Sequence, residues 1–448
     1  MTRLENSPTT QGTQSFVDHF RQSSPYIHAH RGQTFVILLS GETVAAPQFT
    51  HLAHDLALLG ALGIRLVLVH GARPQIERQL QQAGQQSRYH GDFRITDEAA
   101  LQCVKQAVGE VRVHIEGLLS MGLANTPTSR RLRICGGNYI IAKPAGVRDG
   151  VDLGFSGTIR RLDSDNLLRD LDQGRIVLVS PLGYSATGEV FNLNATDVAE
   201  SLAAHLNADK MILFVDSAGV LDAQGQTITQ MSPGEADAIA SGQQDEAGSA
   251  LAAAVRACRQ GVARTHLISR HTDGALLMEL FTRNGCGSMV SAELYEITRQ
   301  AEAEDIPGIL ELLEPLESAG ILVRRSRERL EAELDCFTIM ERDGMIVACA
   351  ALYEYADEHA AELACLAVHP GYQKQGRGDT LLQYMEDKAL DNQLTQLFVL
   401  TTQTAHWFLE RGFAPCETSS LPIKKQELYN YQRNSKSFVK KLVKGRRN

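Results

Sequence analysis

The sequence lacks several features that would place the protein in other classes. No stretch of its 448 residues approaches the roughly 18 consecutive apolar residues of a membrane-spanning helix. The first 14 residues are polar and contain no apolar segment of the kind found in secretion signals. The eight cysteines are scattered and form no C-x-x-C pair, which favours free thiols over a disulfide framework or a metal site. We therefore expect a cytoplasmic protein that binds no metal and no membrane.

The sequence also lacks an excess of positive charge. It has 44 basic and 53 acidic residues, a net charge of −9, which argues against a nucleic-acid partner. Its length is sufficient for two or three domains with substantial cores. A change of pattern near residue 290 indicates two, residues 1–290 and 296–448.

The first part of the chain alternates buried strands with helices. Apolar runs at 34–39, 65–69, 176–180, 210–215 and 264–269 predict strands, and the 3.6-residue patterns between them predict helices. This alternation implies an α/β fold with a mostly parallel sheet covered on both faces. A short helix is expected at 16–20, ending before Pro25, and a new acidic helix from Arg299 to Leu316 opens the second part.

The most informative stretch is a strand, a glycine loop and a helix. The apolar run 363–368 ends at His369-Pro370, the loop has the order Q-x-x-G-x-G, and a helix begins near Asp379. Free amides and the helix dipole make such a helix start an anion site, and glycine lets the backbone approach the anion. The alternative is a glycine turn that binds nothing.

This stretch resembles the acetyl-coenzyme A loop of the GNAT acetyltransferase superfamily. The resemblance implies a C-terminal mixed α/β GNAT domain in which Glu362 is the general base and the strand splays from its neighbour after Val368. The alternative role for Cys365, a nucleophile, is weaker than a place in the core, because these enzymes transfer the acetyl group directly. The implied acetyl-coenzyme A contacts are Leu366, Ala367, Val368, Gln373, Lys374, Gln375, Gly376, Arg377, Gly378 and Asp379.

Three segments, 36–42, 68–76 and 191–222, resemble the amino-acid kinase fold, and acetylglutamate kinase in particular. Charged groups of those kinases are replaced here by Leu39, Thr196 and Ala250, so we expect a domain that no longer transfers phosphate. Segment 266–289 resembles the arginine-binding segment of arginine-inhibited acetylglutamate kinases. The resemblance implies an arginine site formed by Lys210, His266, Glu279 and Gly285.

The C-terminal segment 420–440 resembles bacterial N-acetylglutamate synthases that join a kinase-like domain to a GNAT domain. The resemblance implies acetyl transfer to the α-amine of L-glutamate, feedback inhibition by arginine, and a homo-oligomer, a hexamer by the family pattern. Arg324, Arg433 and Ser435 would hold the glutamate, since a dicarboxylic acceptor needs cationic anchors. Two alternatives remain at this point: a bifunctional acetylglutamate kinase–synthase, and an arginine sensor without catalysis.

Overall fold

The structure is a computed structural model, and it describes residues 8–122, 132–222, 224–243, 245–291, 296–342, 344–373, 376–427 and 435–442. The chain forms two compact units, Met1–Glu293 and Leu294–Asn448. Among the described residues, no helix is both long enough and apolar enough to span a bilayer.

The first unit contains ten helices among its described residues. They are α1 (Pro8–His30), α2 (Gly41–Ala45), α3 (Phe49–Ala61), α4 (Arg73–Gln82), α5 (Glu98–Ser120), α6 (Ser164–Asp172), α7 (Ala195–His205), α8 (Pro233–Ala240), α9 (Glu246–Arg259) and α10 (Ala275–Phe281). The described strands of this unit are β1 (Thr34–Leu39), β2 (Arg65–His70), β3 (Tyr89–His90), β4 (Phe93–Arg94), β5 (Ile134–Cys135), β6 (Ile140–Pro144), β7 (Val147–Arg148), β8 (Val151–Asp152), β9 (Gly157–Leu162), β10 (Ile176–Val179), β11 (Leu182–Tyr184), β12 (Val190–Asn192), β13 (Lys210–Val215), β14 (Gln230–Met231), β15 (Arg264–Ser269) and β16 (Ser288–Ser291).

The main sheet of this unit has eight strands in the order β14-β16-β15-β13-β1-β2-β10-β5. Its neighbours pair in parallel except for β15 and β16. Alternate residues of β1 enter two different cores: Val36 and Leu38 pack with α7 and α9, whereas Phe35 and Ile37 pack with α3 and α5. The prediction of a parallel-rich sheet covered on both faces is confirmed.

The predicted end of the first helix is wrong. Helix α1 continues through Pro25 to His30. Proline removes one intrahelical hydrogen bond, but Tyr26 and Ile27, just beyond it, pack partly buried against the core. His30 is buried, and its Nε2 lies 2.8 Å from the carbonyl oxygen of Leu280. These tertiary contacts stabilise the last turn of the helix.

The second unit contains the strands β17 (Glu296–Gln300), β18 (Phe337–Arg342), β19 (Met345–Tyr355), β20 (Ala360–Val368), β21 (Gln396–Thr401), β22 (Ala414–Cys416) and β23 (Lys436–Lys441). Its helices are α11 (Ile306–Ser318), α12 (Arg327–Ala332), α13 (Arg377–Asp391), α14 (Ala405–Leu409) and α15 (Ile423–Glu427). The sheet order is β17-β18-β19-β20-β21-β23-β22, and only β20 and β21 are parallel among its described pairs.

The predicted helix starting at Arg299 is wrong at its beginning. Arg299 lies in strand β17, and the helix starts at Ile306. The guanidinium of Arg299 is paired with Asp305 at 2.7 Å and with Glu341, on the neighbouring strand β18, at 2.7 Å. The pairing of β17 with β18, together with the ion pair to Glu341, favours a strand where the local sequence pattern favours a helix.

Candidate functional site

Strands β20 and β21 of the second unit are paired at one end and separate further along. Their parallel pairing covers only three positions and ends at Glu362 opposite Phe398. Strand β20 then runs on to Val368, paired on its other edge with β19. The sequence predicted that the strands diverge after Val368. In the structure they diverge earlier, after Glu362. The edge of β20 that includes Leu366, Ala367 and Val368 faces the opening.

An irregularity in β20 accounts for the divergence. The register between β19 and β20 shifts between Cys349 and Ala351, and Cys365 on the opposite strand adopts a left-handed φ of 53°. A bulge of this kind bends its strand and increases the local twist. Cys365 is buried, and burial raises the pKa of its thiol to about 12. A thiol held protonated in this way is a poor nucleophile, which supports the core role expected from the sequence.

Glu362 lies at the apex of this opening. This residue is buried, with 7% of its surface exposed to solvent. One carboxylate oxygen, Oε2, lies 2.7 Å from the Nζ of Lys425 in α15. On the adjacent strand β19, Tyr353 is directly opposite Glu362. A buried carboxylate at the point where two parallel strands separate is well placed to take a proton from a group bound in the gap.

The glycine loop leads into helix α13 as predicted. Glycine is required at Gly376 and Gly378 for different reasons. Gly376 is the N-cap residue with a φ of 79°, a left-handed conformation that side chains rarely adopt. Gly378 has an ordinary φ, but a β carbon there would lie 3.1 Å from the indole of Trp407. At the start of this 15-residue helix the N–H groups of Asp379 and Thr380 both donate to the carbonyl oxygen of Gly376 at 3.0 Å. The positive end of the helix dipole lies at the same N-terminus, so a phosphate can bind here.

Three side chains of the predicted cofactor loop are engaged with the protein. Gln373 donates from Nε2 to the carbonyl oxygen of Val368 at 3.0 Å. Arg377 is paired with Glu296 at 2.8 Å and lies over the ring of Tyr372. Asp379 is ion-paired with Arg411. These residues would thus contribute to a cofactor site mainly through their backbone. Lys374 and Gln375 lie outside the described residues.

The predicted acceptor residues are only partly described. Arg324 is exposed in the segment between α11 and α12. Ser435 immediately precedes β23, whose first residue, Lys436, is paired with Thr401. The last strand therefore begins one residue after Ser435, where its partner β21 ends. Arg433 lies outside the described residues.

A second arginine, which sequence reasoning passed over, points inward. The side chain of Arg325 is 11% exposed and lies 4.0 Å from Glu333, and its buried Nε has no hydrogen-bond partner among the described residues. Burial by itself lowers the pKa of this guanidinium. The nearby Cys365 and Tyr353 more than offset that effect, so the net shift is upward. The only sequence signal for Arg325 was the doubled arginine in ILVRRS.

The residues predicted to bind arginine in the first unit lie together. His266 and Glu279 are hydrogen-bonded, Nδ1 to Oε1, at 2.7 Å. The other oxygen of Glu279 accepts hydrogen bonds from the backbone N–H groups of Cys286, at 2.7 Å, and Gly287, at 2.9 Å. Gly285, with a φ of 61°, completes this turn around the carboxylate. Burial raises the pKa of Glu279, but the hydrogen bond to His266 reverses the shift, so the carboxylate is ionised at neutral pH.

Two buried histidine nitrogens in this cluster have no hydrogen-bond partner among the described residues: Nε2 of His266 and Nδ1 of His30. Burial lowers the pKa of both rings, that of His30 to about 4, so both are neutral near pH 7. With Nδ1 of His266 donating to Glu279, its Nε2 is left as an acceptor. Lys210, also buried, is close enough to act electrostatically on both rings. Sequence reasoning missed His30 because the predicted helix ended before it.

The three positions predicted to have lost the charged groups of amino-acid kinases have structural roles here. Leu39 is fully buried in the core, and Ala250 packs against the opposite core. The side chain of Asn194 caps α7 by accepting from the N–H of Thr196 at 2.8 Å. The loops after β1 and β2 approach so closely that a β carbon at Gly71 would lie 2.9 Å from the nitrogen of Gly41. These features support the loss of phosphate transfer.

The fold and site define a two-domain acetyltransferase with an amino-acid-kinase-like domain ahead of the catalytic one. Residues 33–269 match the amino acid kinase family, and residues 296–413 match the acetyltransferase (GNAT) family. The GNAT match assigns acetyl-coenzyme A as the co-substrate of the second unit.

Relatives cover nearly the whole chain. The amino-acid acetyltransferases of Ectopseudomonas mendocina (strain ymp) and Pseudomonas putida (strain GB-1) are 52% and 53% identical over 429 residues, which are 95% of this chain and 99% of each relative. The N-acetylglutamate synthase of Neisseria gonorrhoeae, complexed with coenzyme A and L-arginine, is 38% identical with a TM-score of 0.88, covering 96% of this chain and 100% of that one. The same gonococcal enzyme with coenzyme A and N-acetyl-glutamate gives 39% identity and a TM-score of 0.61 over the same shares. The chain therefore belongs to the amino-acid acetyltransferase family.

Proposed function

We propose that this enzyme transfers the acetyl group of acetyl-coenzyme A to the α-amine of L-glutamate, and that L-arginine bound in the first unit inhibits the transfer. The observation that carries the catalytic part is the buried carboxylate of Glu362 at the last paired position of β20 and β21. The gonococcal relative complexed with coenzyme A and N-acetyl-glutamate supports the choice of acceptor.

The mechanism needs a proton acceptor beside the amine and donors beside the thioester oxygen. Glu362 takes a proton from the acceptor ammonium, directly or through a water, and the freed amine nitrogen forms the new bond to the carbonyl carbon as the carbon–sulfur bond breaks. The departing thiolate takes up the second proton, which the nitrogen loses as it becomes an amide. A free amino-acid amine is more basic than a carboxylate, so this proton transfer is uphill and each pKa unit costs about 1.4 kcal/mol.

The open edge of β20 supplies the second requirement. Beyond Glu362 this edge is not paired with β21, and a strand edge presents N–H groups directed into the gap. Donors fixed in this way stabilise the negative charge that develops on a carbonyl oxygen. The first turn of α13, capped by Gly376, follows the same strand and suits the pyrophosphate of the co-substrate.

Recognition of glutamate needs cations for two carboxylates. Arg433 and Ser435 remain predicted contacts, and Arg324 remains a predicted anchor although it is exposed. Arg325 is a further candidate, because its guanidinium is buried close to Cys365 of β20. A planar guanidinium binds a carboxylate through two parallel hydrogen bonds.

The cluster in the first unit supports arginine as the effector. Glu279 provides an ionised carboxylate, and Nε2 of His266 provides an acceptor without a partner among the described residues. Both suit a guanidinium, while the buried ammonium of Lys210 suits the carboxylate of a free amino acid. The gonococcal relative was complexed with L-arginine, which supports the same choice.

One assay tests the proposal. Thiol release from acetyl-coenzyme A is measured with each of the common amino acids, with and without arginine. We expect L-glutamate to give the highest kcat/KM and arginine to lower it. Another amino acid giving a higher kcat/KM would overturn the acceptor assignment. Turnover that arginine leaves unchanged would overturn the effector assignment and leave the catalytic one intact.

A further inference from the structure

A lysine outside the predicted site is in contact with its central carboxylate. The Nζ of Lys425 lies 2.7 Å from Oε2 of Glu362, and the two side chains are 20% and 9% exposed. Lys425 belongs to α15, a five-residue helix in the C-terminal segment of the chain. An exposed surface pair would contribute little, but this one is largely removed from solvent.

Contacts of the neighbouring residues hold Lys425 in this position. Leu421 is buried with Ala360 and Phe398, which flank Glu362 along the two parallel strands. The amide of Gln426 donates from Nε2 to the carbonyl oxygens of Ser419 and Leu421, at 3.0 and 2.7 Å. The turn is therefore fixed both to the sheet and to itself.

A second contact ties the same turn to the corner that precedes β20. The N–H of Ile423 lies 3.3 Å from the carboxylate of Glu358. The neighbouring Lys424, by contrast, is exposed and lies 3.9 Å from the exposed Asp357. Two adjacent lysines thus differ in role: one faces the candidate base and the other faces solvent.

We propose that Lys425 is a positioning residue for acetyl transfer: its ammonium holds Glu362 by Oε2 and so presents the other carboxylate oxygen to the acceptor amine. The proposal rests on the function proposed above, in which Glu362 is the base. Lys425 exchanges no proton with substrate in this role. It fixes the orientation of the carboxylate through the contact between Nζ and Oε2 at 2.7 Å.

Two alternative roles for this ion pair predict different kinetics. If Lys425 binds a carboxylate of the acceptor, its loss raises the KM for glutamate whether or not Glu362 is present. If the pair only stabilises the fold, its loss lowers thermal stability and leaves kcat per folded molecule unchanged. A positioning role predicts a loss of kcat that depends on Glu362.

The test uses the full chain and a double-mutant cycle. Lys425→Met removes the charge and keeps the approximate length of the side chain, Lys425→Arg keeps the charge, and Glu362→Gln removes the base. We expect Lys425→Met to lower kcat about ten- to a hundredfold, the loss typical of a misplaced catalytic group, with little change in KM for acetyl-coenzyme A. Lys425→Arg should recover most of the activity. In the Glu362→Gln background the Lys425→Met change should have little further effect on kcat.

The control is Lys424→Met, the same substitution on the adjacent exposed lysine, which should leave kcat and both KM values unchanged. Circular dichroism and thermal unfolding of every variant separate loss of fold from loss of turnover. An undiminished kcat in Lys425→Met, or an equal loss with and without Glu362, would overturn the positioning role. Full activity in Glu362→Gln would instead overturn the proposed base, so the two failures are distinguishable.

Discussion

A β carbon added at Gly285 would lie 2.5 Å from Oε2 of Glu279. The turn at 285–287 therefore fits around an ionised carboxylate with no room for a side chain, and the left-handed φ of Gly285 adds a second reason for glycine. A turn built this closely around one carboxylate fixes the position of that carboxylate, as the proposed arginine site requires.

The first prediction concerns this carboxylate. Glu279→Gln should abolish arginine inhibition, because the guanidinium loses its charged partner, while turnover without arginine stays within about twofold. Inhibition curves for arginine at fixed substrate check this. Met278→Ala, on an exposed neighbour in α10, is the control and should keep the wild-type curve. Inhibition that survives Glu279→Gln unchanged would place the effector elsewhere.

The second prediction separates backbone strain from anion binding at the glycine loop. Gly376→Asp should raise the KM for acetyl-coenzyme A by about a hundredfold or more, since it places a carboxylate at the start of α13 where the pyrophosphate should bind. Gly344→Asp is the matched control, since Gly344 has a similar φ of 76° and open space around it. It carries the same backbone cost, about 1 kcal/mol, without the anion site. Equal effects of the two substitutions would remove the loop from the cofactor site.

The third prediction distinguishes the two adjacent arginines. Arg325→Ala should raise the KM for glutamate about thirtyfold or more, which corresponds to the loss of roughly 2 kcal/mol or more from an unpaired carboxylate. The KM for acetyl-coenzyme A should change little. Arg324→Ala should have a smaller effect, because its side chain is exposed. The opposite ranking, measured by steady-state kinetics, would return the anchor to Arg324.

The fourth prediction is a pH dependence of stability in the first unit. His70 is fully buried, and burial lowers the pKa of its ring to about 4. The unfolded chain then binds a proton near pH 6.5 that the folded chain does not bind, so the stabilisation is complete above pH 6.5 and is lost as the pH falls towards 4. The shift corresponds to about 3 kcal/mol.

Hydrogen–deuterium exchange of β1 and β2, as protection factors between pH 7 and 4.5, measures this loss. His70→Gln should remove the share of this loss that His70 carries and leave the share of His30, whose pKa is also lowered to about 4. His205→Gln, on an exposed histidine, should leave the dependence as in the parent. A His70→Gln protein with the parent slope would show that other groups carry the titration.

Much of the fold could be predicted because its buried strands are uninterrupted apolar runs. Strands β1, β13 and β15 begin and end at the residues predicted, since turn-forming residues bound each run and both faces of the sheet are covered. The errors occur where distant residues decide the outcome. Arg299 lies in a strand because β17 pairs with β18, where its guanidinium also meets Glu341, and no local pattern reveals this pairing.

The candidate sites also contain residues that could be predicted from local sequence and residues that could not. His266, Glu279 and Gly285 were predicted from one short segment, and they lie together because that segment forms a strand, a helix and a turn in succession. Arg325 and Lys425 were missed because each is one of two adjacent basic residues. A sequence cannot tell which of two neighbours faces inward where the chain is irregular, as at Arg325, or forms only a five-residue helix, as at Lys425.

The position of Trp407 beside Gly378 makes its fluorescence a probe of the start of α13. It is the one tryptophan of the sequence, its indole lies 3.1 Å from the position of a β carbon at Gly378, and the guanidinium of Arg411 lies 3.9 Å from its ring centroid. All indole emission of the protein therefore originates beside the helix start proposed to hold the pyrophosphate. Titration with coenzyme A should change this fluorescence, so that an unlabelled full-length enzyme reports occupancy of its own catalytic domain in real time.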